Sequence, residues 1–160
     1  MTVLALAAAG RVASWLALAW GAASTACAES GRDYRDGAVV LQVVANRAER
    51  GPRLGWRRYD GTLAGALWSP AQHAHRCAWP LTVQHLALGV AFASGTLDVP
   101  AWARSAWYYC GPHDAPGSCE SRGARVIVGR IAHTYWAAPS PGRPAPRPAA
   151  SESAVRAGQL

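Results

Sequence analysis

Apolar positions dominate the first 28 residues and then break into shorter runs with distinct periods. From Val12 to Ala28, "VASWLALAWGAASTACA" carries no charge. It suits a buried or amphipathic helix, yet its Ala-Cys-Ala end also meets the small-x-small rule for signal cleavage after Ala28. Arg11 is the sole positive side chain ahead of it, a poor signal n-region. The run is short and rich in Ala, Gly and Ser, so no stable membrane span is expected.

The next run, "DGAVVLQVVANRAER" from Asp36 to Arg50, places Val39, Val40, Val43 and Val44 at helical spacing. That predicts a central helix with a broad apolar face, capped by Asp36 or Asp33. An arginine-rich loop from Gly51 to Gly61 leads to a short helix in "TLAGALWSPAQHA", broken at Pro70. "LTVQHLALGVAFASG" predicts another helix, closed by Gly95. The aromatic stretch "TLDVPAWARSAWYYCGP" predicts extended or irregular chain, and "ARVIVGRIAHTYWA" a strand pair turning at Gly129 and Arg130. These assignments divide the chain into an N-terminal extension (1–11), one domain (12–137) and a Pro/Ala-rich disordered tail (138–160).

Charge changes this picture little. All sixteen basic residues are arginine and give a net charge of +7, but they are dispersed along the chain, so no nucleic-acid partner is expected. The four cysteines carry more information. Cys110 and Cys119 bracket a turn-rich loop short enough for a disulfide to close, which favours an oxidising compartment over reduced thiols. His73, His75 and Cys77 in "HAHRC" match no strong metal-ligand spacing, so no metal or other cofactor is expected.

Glu29 is the first candidate for chemistry. If residues 12–28 remain on the protein, it ends an apolar helix, where partial burial would suit a proton donor. The bland alternative is an ordinary exposed carboxylate. Asp33 and Asp36 are the only other acids within ten residues and have a ready role as caps. The aromatic residues of "SAWYYCGP", Trp107, Tyr108 and Tyr109, make a sugar-stacking groove credible.

In order and spacing these segments resemble the cell wall hydrolase family that includes the spore-cortex-lytic enzymes of germination. "ESGRDYRDG" followed by "AVVLQVVANR" is similar to the family's Glu-Ala-Arg-Gly-Glu motif, turn and helix ending Asn-Arg. The match puts Glu29 on the catalytic glutamate, Gly37 on the helix-opening glycine and Asn46-Arg47 on the helix end. "TLAGALWSPAQHA" resembles the segment ending Gln-Phe-Ser, with Gln72 as the glutamine and His73 replacing Phe. "SAWYYCGP" is similar to a Tyr-Tyr-Asn segment, with Cys110 at the Asn position, and "RIAHTYW" to the terminal strand that carries His133. Asp33 takes the place of the motif's second acid, and an arginine-rich insertion separates Arg47 from Thr62.

The resemblance implies an α+β, mostly helical, lysozyme-like single domain with a small β element. It implies cleavage of peptidoglycan between N-acetylmuramic acid and N-acetylglucosamine, as a lytic transglycosylase in the cell envelope or outside the cell. Glu29 would act as acid and then base. Gln72, His73, Trp107, Tyr108, Tyr109 and His133 would bind substrate. A hydrolase would need a second carboxylate, for which Asp33 and Asp36 are the candidates. A non-catalytic wall-binding relative, its groove altered at His73 and Cys110, is the alternative.

Overall fold

A computed structural model describes residues 2–52, 61–69, 73, 76–110, 126–127 and 133–137; the side chains of 2–9, 108, 126–127, 134, 136 and 137 are outside this set. Among these residues the fold is mostly helical with one small sheet. Helix α1 (Thr2–Ser30) is continuous across the boundary expected at residue 11. Helices α2 (Tyr34–Arg50), α3 (Leu63–Leu67) and α4 (Val83–Ala93) follow, then a 3-10 turn (Ala101–Ser105). Strands β1 (Ala106–Cys110), β2 (Val126–Ile127) and β3 (Thr134–Ala137) form an antiparallel sheet in the order β1-β3-β2. The predicted strand pair is therefore β2 and β3. Its turn and the 138–160 tail lie outside the described residues.

Helix α2 is the centre because it is apolar on two sides. Leu41, Val44 and Ala48 pack with Ala22 and Ala26 of α1, Ala66 and Leu67 of α3 and Phe92 of α4. Val39, Val40 and Val43 instead meet Ala103, Ala106 and Tyr135 on the sheet side. One helix thus joins a helical layer to the sheet, and its buried Val and Leu side chains each contribute about 1.5–3 kcal/mol. Its N-cap is Asp33, whose side chain accepts from the Asp36 N–H at 3.0 Å, so the helix starts at Tyr34.

The second half of α1 belongs to the packed domain. Ala22, Ala23, Ala26 and Cys27 are buried, and Cys27 is disulfide-bonded to Cys77 with Cα atoms 5.3 Å apart. Cys77 is thereby removed from the His-x-His-x-Cys set. Cys110 is also disulfide-bonded. Helix α4 crosses α1 at Gly89, where a Cβ would run into the Ala19 backbone carbonyl and crowd the Ala23 side chain. Among the described residues no helix is long and apolar enough to cross a membrane.

Candidate functional site

Glu29 occupies the last turn of α1 and is half-buried. The helix stops there because Gly31 takes φ +58°, a left-handed conformation that glycine adopts without steric cost, and its N–H returns to the Cys27 carbonyl at 2.9 Å. A second contact holds this turn. The Gly31 carbonyl can only accept, so His85 donates to it from Nε2 at 2.7 Å and accepts the Thr82 N–H at Nδ1, 3.1 Å away. Thr82 and His85 form the capping box of α4. The end of α1 that carries Glu29 is thus pinned to the start of α4.

The Tyr109 hydroxyl on β1 lies in the field of the Glu29 carboxylate. Burial, reinforced by the charge of Glu29 and opposed by Arg47, holds that hydroxyl well above the ordinary tyrosine range. Tyr109 therefore keeps its proton at any ordinary pH. The same hydroxyl lies 2.8 Å from Nδ1 of buried His73. On the far side of that ring, Nε2 is 3.4 Å from Nη1 of buried Arg47. Arg47 also donates from Nε to the Trp107 carbonyl at 3.0 Å, and its guanidinium carbon sits 5.9 Å from the centre of the Tyr109 ring. Beside it, Asn46 donates to the carbonyls of Ala103 at 3.1 Å and Ala106 at 2.7 Å. The Asn-Arg pair ties the end of α2 to β1.

A second buried group adjoins the first. Asp36, in the first turn of α2, accepts from His133 Nδ1 at 2.5 Å, from the His133 N–H at 3.3 Å and from the Tyr135 hydroxyl at 2.6 Å. Burial alone would push the Asp36 carboxyl up; the hydrogen bonds from His133 and Tyr135 outweigh it and hold the carboxyl below its usual value. Burial and the neighbouring Asp36 charge raise Tyr135, so it stays a donor. The His133 and Tyr109 rings meet edge to face at 5.1 Å, joining the two groups.

Glu29, His73, Tyr109 and His133 therefore converge from α1, the chain before α4, β1 and the start of β3. Gln72 lies outside the described residues. The backbone of Tyr108 pairs with Trp136, while its side chain lies outside the described set. Trp107 departs from the substrate-binding expectation because it is completely buried. Ala106 pairs with Ala137 and Tyr108 with Trp136, so Trp107 is an extra residue on β1, a bulge that turns it into the core. Asp33 is engaged as the α2 cap. Asp36 has no exposed surface and both its oxygens are engaged, so it reaches a substrate only through His133. Arg47 and Tyr135 join the site without a sequence motif that assigns them a role there. The one signal available for Arg47 was its place at the helix end in the Asn-Arg pair.

Comparison with protein-family models, characterised proteins and solved structures found no match to this chain.

Proposed function

We propose that the protein cleaves peptidoglycan glycan strands between N-acetylmuramic acid and N-acetylglucosamine as a lytic transglycosylase, with Glu29 as its acid and base. The reading takes the helical domain with its small sheet as lysozyme-like. The observation that carries it is a half-buried carboxylate at a helix end whose charge acts on a buried tyrosine, and that tyrosine in turn meets His73 and His133. Glu29 would protonate the leaving glycosidic oxygen. The resulting carboxylate would then take the proton from the muramoyl C6 hydroxyl as that oxygen closes the 1,6-anhydro ring, restoring the acid. One carboxyl suffices for this sequence.

A hydrolase needs a second carboxylate to activate water. The capping role of Asp33 and the burial of Asp36 favour the transglycosylase over it. The Cys27–Cys77 disulfide favours an oxidising compartment and so supports action in the cell envelope or outside the cell. Mass spectrometry of purified sacculi digested with the protein tests the reading. Anhydro-muropeptides are expected. Reducing-end products would identify a hydrolase, and binding without release would identify a wall-binding domain.

A further inference from the structure

We propose that Arg47, His73 and Tyr109 form a hydrogen-bond chain with one fixed direction, which ends on Glu29 and presents one of its carboxyl oxygens for proton transfer. The inference rests on the role given to Glu29 above and adds two positioning residues, His73 and Tyr109.

The direction follows from donor chemistry. A guanidinium has only N–H donors and does not lose its proton in a protein. Arg47 Nη1 must therefore donate toward His73 Nε2, 3.4 Å away, which makes Nε2 the bare nitrogen. The ring proton is then on Nδ1, which donates to the Tyr109 oxygen at 2.8 Å. With its oxygen accepting from His73, the Tyr109 hydroxyl has its single hydrogen left to give, and the inferred recipient is the Glu29 carboxylate, whose charge acts on that hydroxyl. Reversing the chain would set a His73 Nε2–H against an Arg47 N–H, two donors facing each other.

The consequence at Glu29 is geometric. One carboxyl oxygen is held as the acceptor from Tyr109, so the catalytic proton resides on the other, and the carboxyl plane is fixed against rotation. Each link is anchored in turn. Arg47 is held by the Trp107 carbonyl, and Tyr109 lies on a paired strand against Tyr135. In the resembled family His73 is replaced by Phe, which has no hydrogen-bonding atom, so the chain is a departure of this protein from that pattern.

Two measurements on the full-length protein test this. Nitrogen-15 NMR of histidine-labelled protein at neutral pH, with His73 assigned by its loss in His73→Gln, reads the tautomer without reference to activity. A protonated Nδ1 and bare Nε2 are expected; a protonated Nε2, alone or in an imidazolium, would overturn the chain. The second is turnover of sacculi. Tyr109→Phe and His73→Phe should each lower kcat about ten- to a hundredfold with KM little changed, since they misorient the acid without removing it. His73→Gln, whose amide N–H and carbonyl preserve the direction, should recover kcat to near that of the unmodified protein. Full kcat in His73→Phe and Tyr109→Phe would remove the positioning role even if Glu29→Gln is dead. A wild-type protein without turnover but with the expected tautomer would instead remove the enzyme reading and leave the chain standing.

Discussion

Asp36 and His133 stand 97 positions apart in sequence and meet in the interior with 2.5 Å between Oδ2 and Nδ1. Their contact fastens the first turn of α2 to the start of β3. Tyr135 adds a bond to the other carboxylate oxygen, so a buried charge is matched by donors on both sides. Removing the acid strands those donors away from water. Asp36→Ala should therefore cost about 3–5 kcal/mol, the range for breaking one partner of a buried pair, read from urea unfolding at pH 7. A loss below 1 kcal/mol would show that the contact is not buried as described.

The same group sets a dependence on acid. The folded-state value of Asp36 lies below its unfolded one, so the folded protein binds fewer protons there than the unfolded chain. This contribution is present at neutral pH, begins to fade near the unfolded value of about 4 and is lost as pH falls through the folded value. Unfolding midpoints measured between pH 7 and pH 3 should fall less steeply in Asp36→Asn than in the unmodified protein. Parallel curves would remove Asp36 as a source of acid sensitivity.

Gly89 offers a test of the α1 and α4 crossing. In a solvated helix, Gly→Ala stabilises by about 1 kcal/mol. Here the added methyl meets the Ala19 backbone carbonyl, which has no flexible end to yield. Packing strain should win, and Gly89→Ala should lower stability by about 1–3 kcal/mol. A rise in Tm would contradict the close approach, and with it the place of residues 12–28 in the domain.

The Cys27–Cys77 disulfide spans a sequence separation of 50. Chain-entropy reasoning assigns a loop of that length about 4 kcal/mol. The double Cys27→Ser and Cys77→Ser variant should therefore lose about 2–4 kcal/mol relative to the oxidised protein. Non-reducing peptide mapping should recover Cys27 and Cys77 in one cross-linked peptide. A protein cleaved after Ala28 cannot give that peptide, so its absence together with Glu29 at the N-terminus would contradict both the fold and the catalytic assignment.

Local periodicity made much of the helical layer readable. The valine spacing and the Asp33 and Asp36 pair located α2, and Gly95 closed α4. Glu29 was legible as a helix-end carboxylate because its neighbours in sequence are also its neighbours in α1. What was not legible depends on contacts between distant residues. Nothing near Asp36 announces His133 or Tyr135, and nothing near Cys27 announces Cys77. Trp107 reads as a stacking ring from its place in an aromatic cluster, whereas the bulge on β1, a matter of pairing with a distant strand, turns it into the core. Arg47 reads as a solvated charge at a helix end, the usual fate of arginine, until β1 and His73 close over it.

The most direct test of the central claim is muropeptide release from purified sacculi by the unmodified protein and by Glu29→Gln, followed by mass spectrometry. Glutamine retains the size of the side chain but has no acid proton to give. The account predicts anhydro-muropeptides from the unmodified protein and a loss of at least about a hundredfold in Glu29→Gln, with the two proteins unfolding at closely similar temperatures. Undiminished release by the folded Glu29→Gln protein would contradict it.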